Sequence, residues 1–161
     1  MWFLWCKPAS PAGFRLLWVR RYTKAHEFLP IPLVKHLEPR QAFDFLQAHP
    51  DALFVDCRSE MEFLFVGHPV GAMMIPWNDG PDWEINPHFV SQVKKAASIN
   101  RPVVIICRSG NRSVDAGIAL EQAGFDDVYN VLHGFEGELN ERHQRNSTSG
   151  WRHDGLPWEQ F

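Results

Sequence analysis

The sequence predicts a three-layer α/β domain, with a mainly parallel central sheet flanked by helices. Three observations carry this. Short apolar runs of strand length stand at 52–58, 103–107 and 127–131. The segments between them space their apolar residues as helices do. The run VVIIC (103–107) is β-branched and apolar on both faces, as a strand in the middle of a parallel sheet must be. Alternation of strand and helix within 161 residues points to one domain with its own core.

In chain order, PIPLVKHL (30–37) begins with prolines and suits a short edge strand. Glu38-Pro39 opens a helix over EPRQAFDFLQAHP, where Pro39 fits a first turn and Ala42, Phe43, Phe45, Leu46 and Ala48 form the apolar stripe. It stops at His49-Pro50. ALFVDCR (52–58) is a buried strand ending in charge, and Ser59 caps a short helix, EMEFLF. GHPVG (67–71) is a turn, AMMIP (72–76) a short strand and WNDGPDW a turn-rich stretch. Asn86-Pro87 starts a helix over HFVSQVKKAAS, basic towards its end. After VVIIC, a helix runs from about Ser113 to Ala123, with Gly124 in the left-handed position past it. DVYNV (127–131) is the next strand. The Gly-, Asn- and Ser-rich tail from about Gly134 ends in GWRHDGLPWEQ, whose tryptophans are expected to anchor it on the body. No internal repeat or low-complexity run stands out.

Composition narrows the function. The net charge of −3 gives no reason to expect a nucleic-acid partner. Charge is unevenly spread: residues 1–26 carry Lys7, Arg15, Arg20, Arg21 and Lys24, whereas all 19 acidic residues lie from Glu27 onward. The basic leader, taken as 1–29 with the domain as 30–161, has apolar pieces far shorter than the roughly 20 residues of a membrane span. Its order of charge and apolar residues is wrong for a secretory signal, and Trp5 before Cys6 disfavours a lipoprotein site. It is expected to be a loosely ordered extension, with a targeting or membrane-surface role as the alternative. Cys6, Cys57 and Cys107 are too widely spaced for a Cys-x-x-Cys motif, and His133, His143 and His153 are too dispersed to be a metal set. A reducing, cytoplasmic compartment fits this cysteine usage.

Chemistry concentrates at CRSGNRS (107–113). Ligands of open parallel sheets sit at the carboxyl ends of strands, and Cys107 ends VVIIC. The following helix turns its first amides and the positive end of its dipole back towards that end. A glycine-bearing turn can form an anion nest, and Arg108 and Arg112 add positive charge. Such surroundings favour thiolate over thiol and would also hold an anionic substrate. Covalent catalysis by Cys107 follows.

CRSGNRS resembles the active-site loop of the rhodanese family of sulfurtransferases. VDCRSEMEF resembles the family's Asp-x-Arg-x-x-x-Glu segment, and GHPVGAMMIP its Gly-His-x-x-Gly-Ala-x-x-Ile-Pro. The segments VYNVLHGFEG and GWRHDGLPW are similar to the closing part of bacterial single-domain members. The likeness covers about residues 30–160. It implies that Cys107 takes sulfane sulfur from a small anionic donor such as thiosulfate, becomes a persulfide and passes the sulfur to a thiol or protein acceptor. Arg108, Ser109, Gly110, Asn111, Arg112 and Ser113 would cradle the persulfide, the two arginines holding the donor's oxygens. No metal or organic cofactor is implied. The alternative is a relay or interaction module that carries the persulfide with little turnover on thiosulfate.

Phosphatases of the same fold place five residues between cysteine and arginine. Here four separate Cys107 from Arg112, and the smaller ring suits a sulfur atom better than phosphate. Asp56 and Arg58 match the family's Asp-x-Arg and are expected to support the loop as a charge pair. Cys57 stands where the family commonly has an aliphatic residue. Strand alternation points to a buried, inert thiol there, with a disulfide to Cys107 as the alternative. His68 is expected to hold its turn, and Trp77, Trp83, Trp151 and Trp158 to serve the core and the tail.

Overall fold

The computed structural model describes residues 34–161. The expectations for the leader and Cys6 fall outside the described residues.

Five parallel strands form the central sheet. They are β1 (Lys35–Leu37), β2 (Leu53–Asp56), β4 (Met73–Met74), β7 (Val103–Ile106) and β8 (Val128–Val131), in the order β1-β8-β7-β2-β4. β1 lies at an edge, and β7 lies at the centre. The helices are α1 (Pro39–Ala48), α2 (Glu60–Val66), α3 (Phe89–Ala96) and α4 (Arg112–Gln122). Two small antiparallel pairs complete the set: β3 (His68–Pro69) with β9 (Trp158–Glu159), and β5 (Asn78–Asp79) with β6 (Glu84–Ile85).

Side-chain alternation along the strands divides the core into two halves. Leu53, Val55 and Cys57 of the β2 run and Val103, Ile105 and Cys107 of the β7 run face α3 and α4, meeting Phe89, Val93, Ala116 and Leu120. Phe54, Val104 and Ile106 face the other way, towards Ala42 of α1 and Phe135, Trp151 and Leu156 of the C-terminal segment. This is the expected three-layer arrangement. Both faces of β7 are fully covered, which is why its sequence carries no alternation.

The local signals match the observed element boundaries. Ser59 caps α2 through a capping box: its side chain accepts from Glu62 N–H, and the Glu62 side chain accepts from Ser59 N–H. Pro39 occupies the first turn of α1. Gly124 takes φ +94 just past α4. The tail is anchored as expected: Trp151 is buried, packs on Phe43 and Phe54 and donates its indole N–H to Pro157 O at 2.9 Å. His68 is buried, stacks on Phe63 and pairs its Nδ1 with Phe63 O at 3.3 Å.

Three local expectations need revision. The turn-rich WNDGPDW contains one arm of the β5–β6 hairpin. Trp83 sits on that hairpin 49% exposed, so it is not a core residue. The turn at GHPVG includes β3, whose partner β9 lies about 90 residues along the chain and leaves no short-range pattern. α4 begins at Arg112, one residue before the expected start.

Candidate active site

The site forms where β2, β7 and α4 converge. β7 delivers Cys107 to the carboxyl end of the sheet, and five residues, Cys107 to Asn111, link it to α4. Gly110 takes φ +92 inside this link, and an added Cβ would lie 3.0 Å from His133 N and 3.3 Å from Val131 O. Only glycine fits that turn without strain. Gly134, also at positive φ, packs on the loop from behind, where a Cβ would run into the Cys107 carbonyl. Phe135 N donates to Cys107 O at 2.8 Å and Glu136 N to Arg108 O at 2.9 Å, fixing the loop's outer strand-like edge.

The Cys107 sulfur collects donors. Gly110 N–H reaches Sγ at 3.1 Å, and so does the Ser113 hydroxyl. Asn111 makes no side-chain cap bond at the start of α4, so the helix's first amides are not consumed by a cap. The Cys107 thiol falls to about 5. The Cys57 side chain donates to it most strongly; burial opposes the shift; the Ser113 hydroxyl and the amides of Ser113 and Ser109 add to it. Thiolate is therefore the resting form at neutral pH. Hydrogen bonds lead this effect, among them loop and helix-start amides of the kind the sequence suggested.

Cys57 shows the opposite response. Its thiol is pushed well up, first by burial and then by the hydrogen bond to Cys107. It is fully buried, as expected, yet it is not isolated from the site.

Arg112 has partners that the sequence did not announce. Its Nη1 and Nη2 donate to the two Glu62 oxygens at 2.8 and 2.7 Å, and its guanidinium lies over Trp83 at 5.1 Å. Burial pushes the Glu62 carboxyl up, but hydrogen bonds from Arg112 and Ser59 hold it at about 2. Arg112 thus ties α4 to the start of α2 and keeps its Nε–H outside this pair. Arg108 is exposed at the loop's outer side, Ser109 is partly buried and Asn111 is exposed.

Asp56 and Arg58 are both fully buried. Arg58 Nε donates to Asp56 Oδ1 at 2.9 Å, and Nη2 donates to Oδ2 at 2.6 Å and to Gly67 O at 2.7 Å. Its guanidinium lies 4.2 Å from the ring centre of Phe135, whose N–H donates to the Cys107 carbonyl. No hydrogen bond or ion pair among the described residues joins this pair to residues 107–113, and it meets the loop's neighbours Phe135 and Glu136 instead.

Two residues escaped the sequence reading of the site. Glu62 carried a signal, because it completes the capping box with Ser59; its second bond, to a residue 50 positions away, did not. Asn130 on β8 accepts from the Ser113 hydroxyl at 2.6 Å and pairs its Nδ2 with His36 Nδ1 at 3.1 Å. Among the described residues no group of three or more His, Cys, Asp or Glu is placed to hold a metal, and no helix is long and apolar enough to cross a membrane.

The model of the rhodanese-like domain matches residues 40–141. The chain belongs to the rhodanese-like family. Among relatives of this rhodanese-like chain, an uncharacterized protein of Rickettsia conorii is 30% identical over 131 residues, covering 78% of this chain and 98% of its own. The thiosulfate sulfurtransferase GlpE of Pseudomonas putida is 32% identical over 102 residues, covering 63% of this chain and 82% of its own. The crystal structure of Rv0390 from M. tuberculosis superposes with a TM-score of 0.72 at 38% identity, covering 80% of this rhodanese-like chain and 98% of that one. A polysulfide-sulfur transferase homodimer from Wolinella succinogenes shares the fold, with a TM-score of 0.56 at 22% identity.

Proposed function

We propose that this protein is a sulfurtransferase that moves sulfane sulfur from thiosulfate, or a similar small anionic donor, to a thiophilic acceptor through a persulfide on Cys107. Membership of the rhodanese-like family and the sulfurtransferase relatives support sulfur transfer in general. Thiosulfate as donor is supported by the name of the GlpE relatives. The observation that carries the mechanism is the Cys107 sulfur, a thiolate at neutral pH, facing Gly110 N–H and the Ser113 hydroxyl.

The thiolate attacks the outer sulfur of thiosulfate. The sulfur–sulfur bond breaks, sulfite leaves with its electron pair, and Cys107 holds the transferred sulfur. An acceptor nucleophile then attacks that sulfur and releases the thiolate. Two half-reactions through one covalent intermediate give ping-pong kinetics. The amides between Arg108 and Ser113 stabilise charge on the persulfide as they do on the thiolate. Exposed Arg108 meets the donor's oxygens, and Arg112, held by Glu62, keeps the start of α4 in place. Asp56 and Arg58 hold the loop from behind. A reducing compartment such as the cytoplasm suits a site whose nucleophile must stay a free thiolate.

The test is to incubate the protein with thiosulfate, determine its intact mass, add cyanide and measure thiocyanate, with Cys107→Ser as control. A gain of one sulfur atom that cyanide discharges is the expected result. A gain that cyanide does not discharge makes the protein a relay carrier. No gain by a folded protein overturns the proposal.

A further inference from the structure

We infer that Cys57 is a resolving thiol, which closes a reversible disulfide with Cys107 when a hydroperoxide oxidises the nucleophile. The argument begins with strand register. β2 and β7 are neighbours in the sheet, with Asp56 opposite Ile106. The ladder continues one step further, since Cys57 N donates to Ile106 O at 2.9 Å. Cys57 is therefore level with Cys107 on the adjoining strand. Neighbouring strands lie roughly 4.8 Å apart, within the Cα separation of about 4.4–6.8 Å that a disulfide spans. Both side chains point to the same face of the sheet, into the core half shared with α3 and α4. Each thiol bears on the other's proton affinity, Cys57 lowering that of Cys107 and Cys107 raising that of Cys57. The two side chains are thus level and on one face of the sheet, so bond formation requires no shift of strand register.

The chemistry balances with hydrogen peroxide, the smallest member of the oxidant class. Thiolates, not thiols, attack peroxides, and Cys107 is the thiolate of the pair. Its sulfur attacks one peroxide oxygen, the O–O bond breaks, and hydroxide leaves. Cys107 is now a sulfenic acid. The Cys57 sulfur attacks the Cys107 sulfur, the S–O bond breaks, and the departing hydroxyl takes the Cys57 proton and leaves as water. Two thiols have lost two electrons, and the peroxide has gained them. Because that proton departs with the hydroxyl, no free thiolate has to form at buried Cys57. An external thiol restores the pair by exchange. Without Cys57, the sulfenic acid has no second cysteine among the described residues and proceeds to the sulfinic acid, which thiols do not reduce.

This inference concerns the two thiols and does not depend on which sulfur compound the site accepts. The full-length protein is treated with hydrogen peroxide, blocked with N-ethylmaleimide, digested without reduction and analysed by mass spectrometry. The expected result is a linked peptide pair containing Cys57 and Cys107, lighter by two hydrogens than the separate peptides and absent after dithiothreitol. Cys57→Ser and Cys57→Ala, checked for folding by circular dichroism, should accumulate at least about tenfold more sulfinic acid at Cys107. Alkylation of Cys107 by iodoacetamide should return after dithiothreitol in the native protein and not in the variants. Oxidation of native Cys107 to sulfinic acid without any linked pair overturns the inference, whether or not the variants fold. Failure of the thiosulfate experiment would leave these readouts unchanged.

Discussion

The tripeptide Cys-Arg-Ser occurs twice, each time directly after a central strand: Cys57-Arg58-Ser59 after β2 and Cys107-Arg108-Ser109 after β7. The two copies have opposite fates. In the first, the cysteine is a buried, protonated thiol, the arginine is buried against Asp56, and the serine caps α2. In the second, the cysteine is a thiolate, the arginine is exposed, and the serine is part of a loop facing the sulfur. The difference is two residues, Gly110 and Asn111, inserted before the helix. They postpone the helix, and Gly110 turns its amide onto the sulfur. A direct entry into the helix makes a structural joint. A delayed entry through a left-handed glycine makes a cradle.

Substitutions at matched positions should separate the two copies. The largest effect is expected at the nucleophile: Cys107→Ser should reduce thiocyanate formation at least about 10⁴-fold, since the proposed persulfide forms on its sulfur. The arginines come next. Arg58→Ala leaves a buried, unpartnered carboxylate and should cost about 3–5 kcal/mol in urea unfolding, whereas Arg108→Ala should leave stability within about 0.5 kcal/mol. Equal costs would mean that the two joints are alike. Gly110→Ala forces a side chain into a left-handed turn against His133 N. It should cost about 1–3 kcal/mol and lower sulfur transfer even in the fully folded fraction.

The smallest effect is in pH dependence. Iodoacetamide alkylation of Cys107 should be half-maximal near pH 5, the value that hydrogen bonding from Cys57 leads in setting. Cys57→Ala should move that midpoint upward, and an unmoved midpoint would remove Cys57 from the list of donors. Stability follows the same group. The folded thiol titrates below its unfolded counterpart, at about 8.5, so its contribution is complete above that value and is lost as pH falls towards 5. The margin of the native protein over Cys107→Ala in urea unfolding should shrink over that range.

Much of the fold could be read from local pattern. VVIIC had to be central because it lacks a polar face, and Ser59 and Gly124 marked helix ends through backbone chemistry that acts within a few residues. The cysteine loop was legible for the same reason: strand end, glycine, basic residues and helix start are contiguous. The unread parts rest on contacts that span the chain. Arg112 finds Glu62 50 residues back, a brace between α4 and α2 that its own segment does not announce. Burial of Cys57 was legible in the strand pattern, whereas the register that sets it level with Cys107 was not. Trp83 looked like core material by composition, yet a two-stranded hairpin carries it to the surface above Arg112.

The Ser113 hydroxyl has two acceptors within reach, the Cys107 sulfur and Asn130 Oδ1, but only one hydrogen to give. It is therefore a two-position rotor. With negative charge on the sulfur, its hydrogen turns to Cys107; once that charge is transferred or capped, Asn130 receives it instead. The buried hydroxyl keeps a partner in both settings, so the site can gain or lose an anion without leaving a polar group stranded and without moving its backbone.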